Sequence, residues 1–169
     1  MKKLNSLKEN AFVFIDTNIF LYLIEGISKE SRDFIKLVRS GYYRGITSIA
    51  VLHELAHKLM VDELYKNFGS DITKSKSKKL MKDKRSIKGL TKYQDFIHDV
   101  MNLGIPTLSS SNLDFEQALK FQSEYGMLTT DAINLALMKE FEIEHMATND
   151  KDFEKISWLN VYCPGDIRV

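Results

Sequence analysis

Four carboxylates are notable for where they fall. Asp16 closes the apolar run Ala11-Phe12-Val13-Phe14-Ile15, Glu54 lies in a helix-periodic stretch, Asp131 opens another, and Asp150 follows Met146-Ala147-Thr148. Singly, each has an ordinary explanation. Asp131 after Thr130 would complement a helix dipole, an effect of ~0.3–1 kcal/mol, and Asp16 would cap the turn after its strand. Together they would repel one another, and a cluster of acids is costly unless a cation neutralises it. Carboxylate oxygens are the hard ligands that Mg²⁺ and Mn²⁺ prefer. An ion held this way lowers the pKa of a bound water and neutralises charge on a phosphodiester. That chemistry requires no His or Cys ligand.

A rival motif overlaps the second acid. His53-Glu54-Leu55-Ala56-His57 spells H-E-x-x-H, the zinc metalloprotease pattern. On a helix the two imidazoles would stand one turn apart and share a zinc, with Glu54 as general base. The extended form of that motif needs Gly and His where this chain has Met60 and Glu63. A protease would also leave Asp16, Asp131 and Asp150 unexplained. A phosphatase using Asp-x-Asp fails because position 18 is Asn.

The elements that must position these side chains alternate. The run Ala11–Ile15 is rich in β-branched and aromatic residues and predicts a strand buried on both faces. The spacing then predicts a helix from about Ser31 to Ser40, with Phe34, Ile35, Leu37 and Val38 inward and Gly41 as terminator. Ser48 is the expected N-cap of a helix whose stripe is Val51, Leu52, Leu55, Ala56 and Leu59, with Glu54 beside it. A further helix carries Tyr93, Phe96, Ile97, Val100, Met101 and Leu103 and ends at Gly104. Ile105–Leu108 is expected as a short strand. The next helix should start among Ser109–Asn112 and turn Phe115, Leu119 and Phe121 inward. Asp131 opens a helix bearing Ile133, Leu135, Ala136, Leu137 and Met138. Met146–Thr148 and Val161–Cys163 are the last strands. Strands alternating with helices imply βαβ units and a parallel sheet. In such sheets the ligand crevice lies at the strands' carboxyl ends, where Asp16, Asp131 and Asp150 would all face.

These four acidic segments resemble a known family. Phe14-Ile15-Asp16-Thr17-Asn18-Ile19-Phe20 is similar to the opening of a PIN domain, where a strand delivers Asp-Thr-Asn. Thr47-Ser48 with the helix bearing Glu54 resembles the family's second acidic element. Thr130-Asp131-Ala132-Ile133-Asn134-Leu135-Ala136 resembles the third, and Ala147-Thr148-Asn149-Asp150-Lys151-Asp152-Phe153 the fourth. The resemblance implies an α/β fold, a PIN-like three-layer sandwich with a central, mostly parallel sheet. It implies an endoribonuclease using Mg²⁺ or Mn²⁺ to hydrolyse RNA. Asp16 and Asp131 would be the firmest metal ligands. Glu54 would orient or activate the attacking water, and Asp150, first after its strand and so preferred to Asp152, would complete the metal site. Thr17, Asn18 and Thr130 would fix those carboxylates by hydrogen bonds. Small PIN proteins are often VapC-type toxins, which form homodimers and pair with an antitoxin protein covering the acidic groove. A non-catalytic RNA-binding PIN scaffold is the alternative, separated from an enzyme by whether the acids bind a divalent metal.

Bulk properties bound these readings. The 169 residues suit one domain, 1–169, with an apolar fraction of 44%. The formal net charge of +1 gives no whole-molecule attraction to a polyanion. Charge is instead concentrated at about 67–92, an expected basic and exposed insertion containing Lys76, Lys78, Lys79 and Lys82. These four are candidates for gripping RNA. The single Cys163 excludes a disulfide framework and suggests a reducing, cytoplasmic setting. No stretch approaches the ~20 apolar residues of a membrane span, and Ala11–Ile15 is too short for a signal sequence.

Overall fold

The computed structural model describes residues 1–68 and 84–167. Six strands form one sheet: β1 (Lys2–Lys3), β2 (Phe12–Ile15), β3 (Arg44–Ser48), β4 (Thr107–Leu108), β5 (His145–Ala147) and β6 (Asn160–Cys163). They lie in the order β1-β6-β5-β2-β3-β4, and every pairing is parallel. Helices α1 (Thr17–Glu25), α2 (Lys29–Arg39), α3 (Ile49–Phe68), α4 (Lys84–Lys88), α5 (Lys92–Met101), α6 (Asn112–Tyr125) and α7 (Thr129–Glu140) complete a three-layer α/β sandwich.

β2 is central because its side chains suit burial on both faces: Val13, Phe14 and Ile15 are fully buried. From β2 the chain winds outward through β3 and β4, then returns to the other side of β2 for β5 and β6. The strand order therefore reverses between β2 and β5, the position where parallel sheets open a crevice at their carboxyl ends. The Asp16 N–H donates to the Ala147 carbonyl at 3.0 Å, extending the ladder to the mouth of that crevice.

Most of these elements lie where the sequence periodicity places them. α2 begins at Lys29 rather than Ser31 because the Ser28 hydroxyl accepts the Ser31 N–H at 2.9 Å. Phe34, Ile35 and Val38 are buried as expected, whereas Leu37 faces solvent. The Ser48 hydroxyl accepts the Val51 N–H at 3.1 Å, the cap expected for α3. α1 has no counterpart among the sequence expectations. Its Thr17-Asn18-Ile19-Phe20 opening has modest helix propensity, and burial of Ile19 and Phe20 overrides that preference. In α6 the expected face is corrected: Phe121 is buried, but Phe115 and Leu119 are exposed. The capping box of Ser111 and Asp114 buries Asp114 and places Ala118 and Phe121 on the core side instead.

The expected insertion is anchored at both ends. α3 runs through Asn67, and Leu90 is 2% exposed, so these flanks belong to the folded body rather than to an exposed arm. Lys76, Lys78, Lys79 and Lys82 lie outside the described residues. Among the described residues, no helix is long and apolar enough to cross a membrane.

Candidate active site

The four acids stand on or close to the ends of elements. β2 delivers Asp16, which is also the residue preceding α1. α3 carries Glu54 in its first half, α7 carries Asp131 in its first turn, and Asp150 follows β5.

Asp16 is buried, 4% exposed, and does not cap α1 with its side chain. Its Oδ2 accepts instead from the Thr148 hydroxyl at 2.6 Å and from Asn18 Nδ2 at 3.1 Å. Burial pushes its pKa up to about 6, opposed by the Thr148 hydrogen bond and reinforced by the charge of Glu54. Thr148 also accepts the Asp150 N–H at 3.0 Å. One hydroxyl thus ties the first acid to the backbone of the fourth.

Glu54 is held on both oxygens. Oε2 accepts from the Thr17 hydroxyl at 2.9 Å, and Oε1 from the Lys58 ammonium at 2.7 Å. Asp131 is half-buried, and its pKa rises to about 7. Burial is the largest cause, followed by the charges of Asp16, Asp150, Glu54 and Asp152. Asp131 thus feels every one of the other expected acids, and Asp150 more strongly than Asp152. Asp150 Oδ1 accepts the Asp152 N–H at 2.8 Å, folding the short turn Lys151–Lys155.

The end of β3, where α3 begins, is fastened to α7. The Ser48 hydroxyl donates to Asn134 Oδ1 at 2.6 Å, and both residues are fully buried. Thr47 donates to the Ile15 carbonyl at 2.9 Å, next to Asp16.

Asp16, Glu54, Asp131 and Asp150 therefore share one electrostatic field. Thr17 and Asn18 hydrogen-bond to carboxylates of the set. Thr130 is half-buried beside Asp131 and, among the described residues, makes no side-chain hydrogen bond. Thr148, Lys58 and the Ser48–Asn134 link are supports that sequence reasoning missed. Thr148 lies within the fourth motif, but only its partnership across 132 positions gives it a role. His53 and His57 are exposed on α3.

Among the described residues no three Asp, Glu, His or Cys side chains converge tightly enough to cage a metal ion. A zinc site on His53 and His57 accordingly lacks a third ligand. A hydrated divalent ion makes a lesser demand. Mg²⁺ keeps several waters and is held through one or two carboxylates. Two carboxyls with raised pKa, surrounded by further acids, give the hard oxygen donors and the excess negative charge that such an ion relieves.

A parallel three-layer sandwich with acids at the carboxyl ends of its central strands defines a class of α/β domain. The sequence matches the PIN domain family over residues 13–159, most of the chain, and the protein belongs to that family. The resemblance read from the four motifs is borne out. Among curated proteins, none matches the sequence. Similar folds occur in VapBC2 from Rickettsia felis bound to a DNA fragment from the promoter, with a TM-score of 0.60, 15% identity, and coverage of 90% of this chain and 98% of that one. A toxin–antitoxin complex from Klebsiella pneumoniae gives 0.55, 21%, 92% and 99%. The sarcin-ricin loop cleaving toxin VapC20 of Mycobacterium tuberculosis gives 0.58, 18%, 89% and 98%.

Proposed function

We propose that this protein is an Mg²⁺- or Mn²⁺-dependent endoribonuclease of the VapC type, acting in the cytoplasm as a homodimer and restrained by an antitoxin. The observation that carries the reading is the placement of the acids: Asp16 and Asp150 follow the paired strands β2 and β5 and are tied through Thr148, Thr17 links α1 to Glu54, and Asp131 in the first turn of α7 lies within the field of all three. Membership of the PIN family and likeness to the fold of toxin–antitoxin proteins support it.

In this reading Asp16 and Asp131 hold the metal, with Asp150 completing the set. The bound ion supplies charge neutralisation at the phosphodiester and acidifies a water. Glu54, fixed by Thr17 and Lys58, orients the attacking water and accepts its proton. Thr148 and Asn18 hold the Asp16 carboxylate in one orientation.

The test is RNA cleavage by purified protein with Mn²⁺, Zn²⁺ or chelator. Wild type should cut with Mn²⁺ and lose activity with chelator, and Asp16→Asn should cut roughly 100-fold more slowly or worse, the loss expected when one electrostatic or general-base contribution is removed. His53→Ala combined with His57→Ala should keep its Mn²⁺-dependent cleavage. A fully active Asp16→Asn protein, or a double histidine variant that is folded and inactive, would overturn the assignment.

A further inference from the structure

Lys58 is a cation set among acids. Its ammonium donates to Glu54 Oε1 at 2.7 Å from one turn further along α3. Taken alone, a Glu followed four residues later by Lys is a common pairing on helix surfaces and contributes little. Two observations separate this pair from that background. The other oxygen of Glu54 accepts from Thr17, 37 positions away on α1, so the carboxylate is pinned from both sides. The charge of Lys58 also acts on buried Asp16, against that of Glu54. Yet the Lys58 side chain is 41% exposed. The ammonium is held beside the acids while still open to solvent.

An RNA strand approaching the crevice meets Asp16, Glu54, Asp131 and Asp150, all of which repel phosphate. An ammonium has three N–H donors, and Glu54 takes one. We propose that Lys58 is a substrate-binding residue. Its ammonium, steered by Glu54, donates to an RNA phosphate oxygen and brings the polyanion up to the acids. This rests on the ribonuclease reading above and adds to it the interaction that overcomes acidic repulsion.

The test compares wild type, Lys58→Met and Lys58→Arg. Mn²⁺ binding is measured by calorimetry without RNA, and KM and kcat on a labelled single-stranded RNA across a salt series. Lys58→Met keeps the apolar stem and removes the charge. It should raise KM by about tenfold, as expected on removing one charge-assisted hydrogen bond. It should also flatten the salt dependence by about 0.7, the share of one neutralised phosphate on a single strand. Mn²⁺ affinity should not weaken, and Lys58→Arg should restore KM to near wild type. A Lys58→Met protein with wild-type KM and salt slope overturns the proposal, as does an arginine variant equally impaired. Weakened Mn²⁺ binding in Lys58→Met with an unchanged salt slope would confine the lysine to holding Glu54 and also overturn it. Failure of the ribonuclease reading looks different: wild type itself would bind no Mn²⁺ and cut no RNA.

Discussion

Asp16 and Asp131 carry the site's electrostatic cost. Both carboxyls sit above the ordinary 3.8, at about 6 and about 7. The folded protein therefore binds these protons more tightly than the unfolded chain. Their contribution to stability is fully present below the unfolded value of 3.8 and is lost progressively as pH rises through the folded values of about 6 and 7. The two share a field, so they titrate as a coupled pair. Asp131→Asn removes the repelling charge and keeps the shape. Without metal, the variant should be more stable than wild type at pH 8 by about 1 kcal/mol, since solvent screens part of a half-buried charge. The difference should vanish near pH 4. Thermal melts in chelator across that range decide the matter, and a variant less stable at pH 8 would mean that no such repulsion exists. The acids are legible in sequence because Asp16, Asp131 and Asp150 end, open or follow recognisable elements and Glu54 sits beside an apolar helix stripe. Their supports are legible only in part: Thr17 and Asn18 come with the first motif, whereas Thr148 and Lys58 do not. A threonine such as Thr148 has no role by type, and its bond to Asp16 exists only because β5 pairs with β2.

Elements are held in place by polar interactions between distant segments as well as by apolar stripes. Glu63, in the second half of α3, is 6% exposed. Its carboxylate accepts the N–H groups of Thr91, Lys92 and Tyr93 at 3.1, 3.2 and 2.9 Å. An acid from one helix thus caps the amino terminus of α5, where unpaired N–H groups and the helix dipole both favour negative charge. Glu63→Ala would strand those donors and should lower stability by about 2–3 kcal/mol in chemical denaturation, with Glu63→Gln less affected. A decrease below about 0.5 kcal/mol would show that water replaces the cap. Periodicity finds α5 but not its cap, because the partner is 28 positions away. α6 teaches a related lesson. Apolar residues occur on several sides of that helix, with Leu113, Phe115 and Leu119 exposed and Phe121 buried. Hydrophobicity alone does not select its inner face, and the Ser111–Asp114 cap does.

At the scale of the molecule, a parallel sheet follows from alternating strands and helices, but its order does not. β1 is two exposed lysines recruited by backbone pairing with β6 rather than by any apolar signal, whereas β4 falls within the expected strand Ile105–Leu108. Long-range charge is a second property of the whole. With a net charge of +1 the chain offers little overall attraction for RNA, so local concentrations of basic residues in the sequence matter. Replacing Lys76, Lys78, Lys79 and Lys82 with Ser should weaken RNA binding and reduce its salt slope by about 0.7 for each phosphate no longer neutralised. The rate at saturating RNA should change little. Unchanged affinity and slope in a binding titration would assign those lysines to solubility or a protein partner. If the acids at the carboxyl ends of the strands form one site requiring a divalent cation, calorimetric titration of Mn²⁺ into metal-free protein will register it. Wild type should bind Mn²⁺ and release protons as it does so at about pH 6.5, because Asp131 is partly protonated before the ion arrives. Asp131→Asn should lose most of the binding heat and the proton release. Saturable binding that is equal in the two proteins, or none in wild type, would contradict the account.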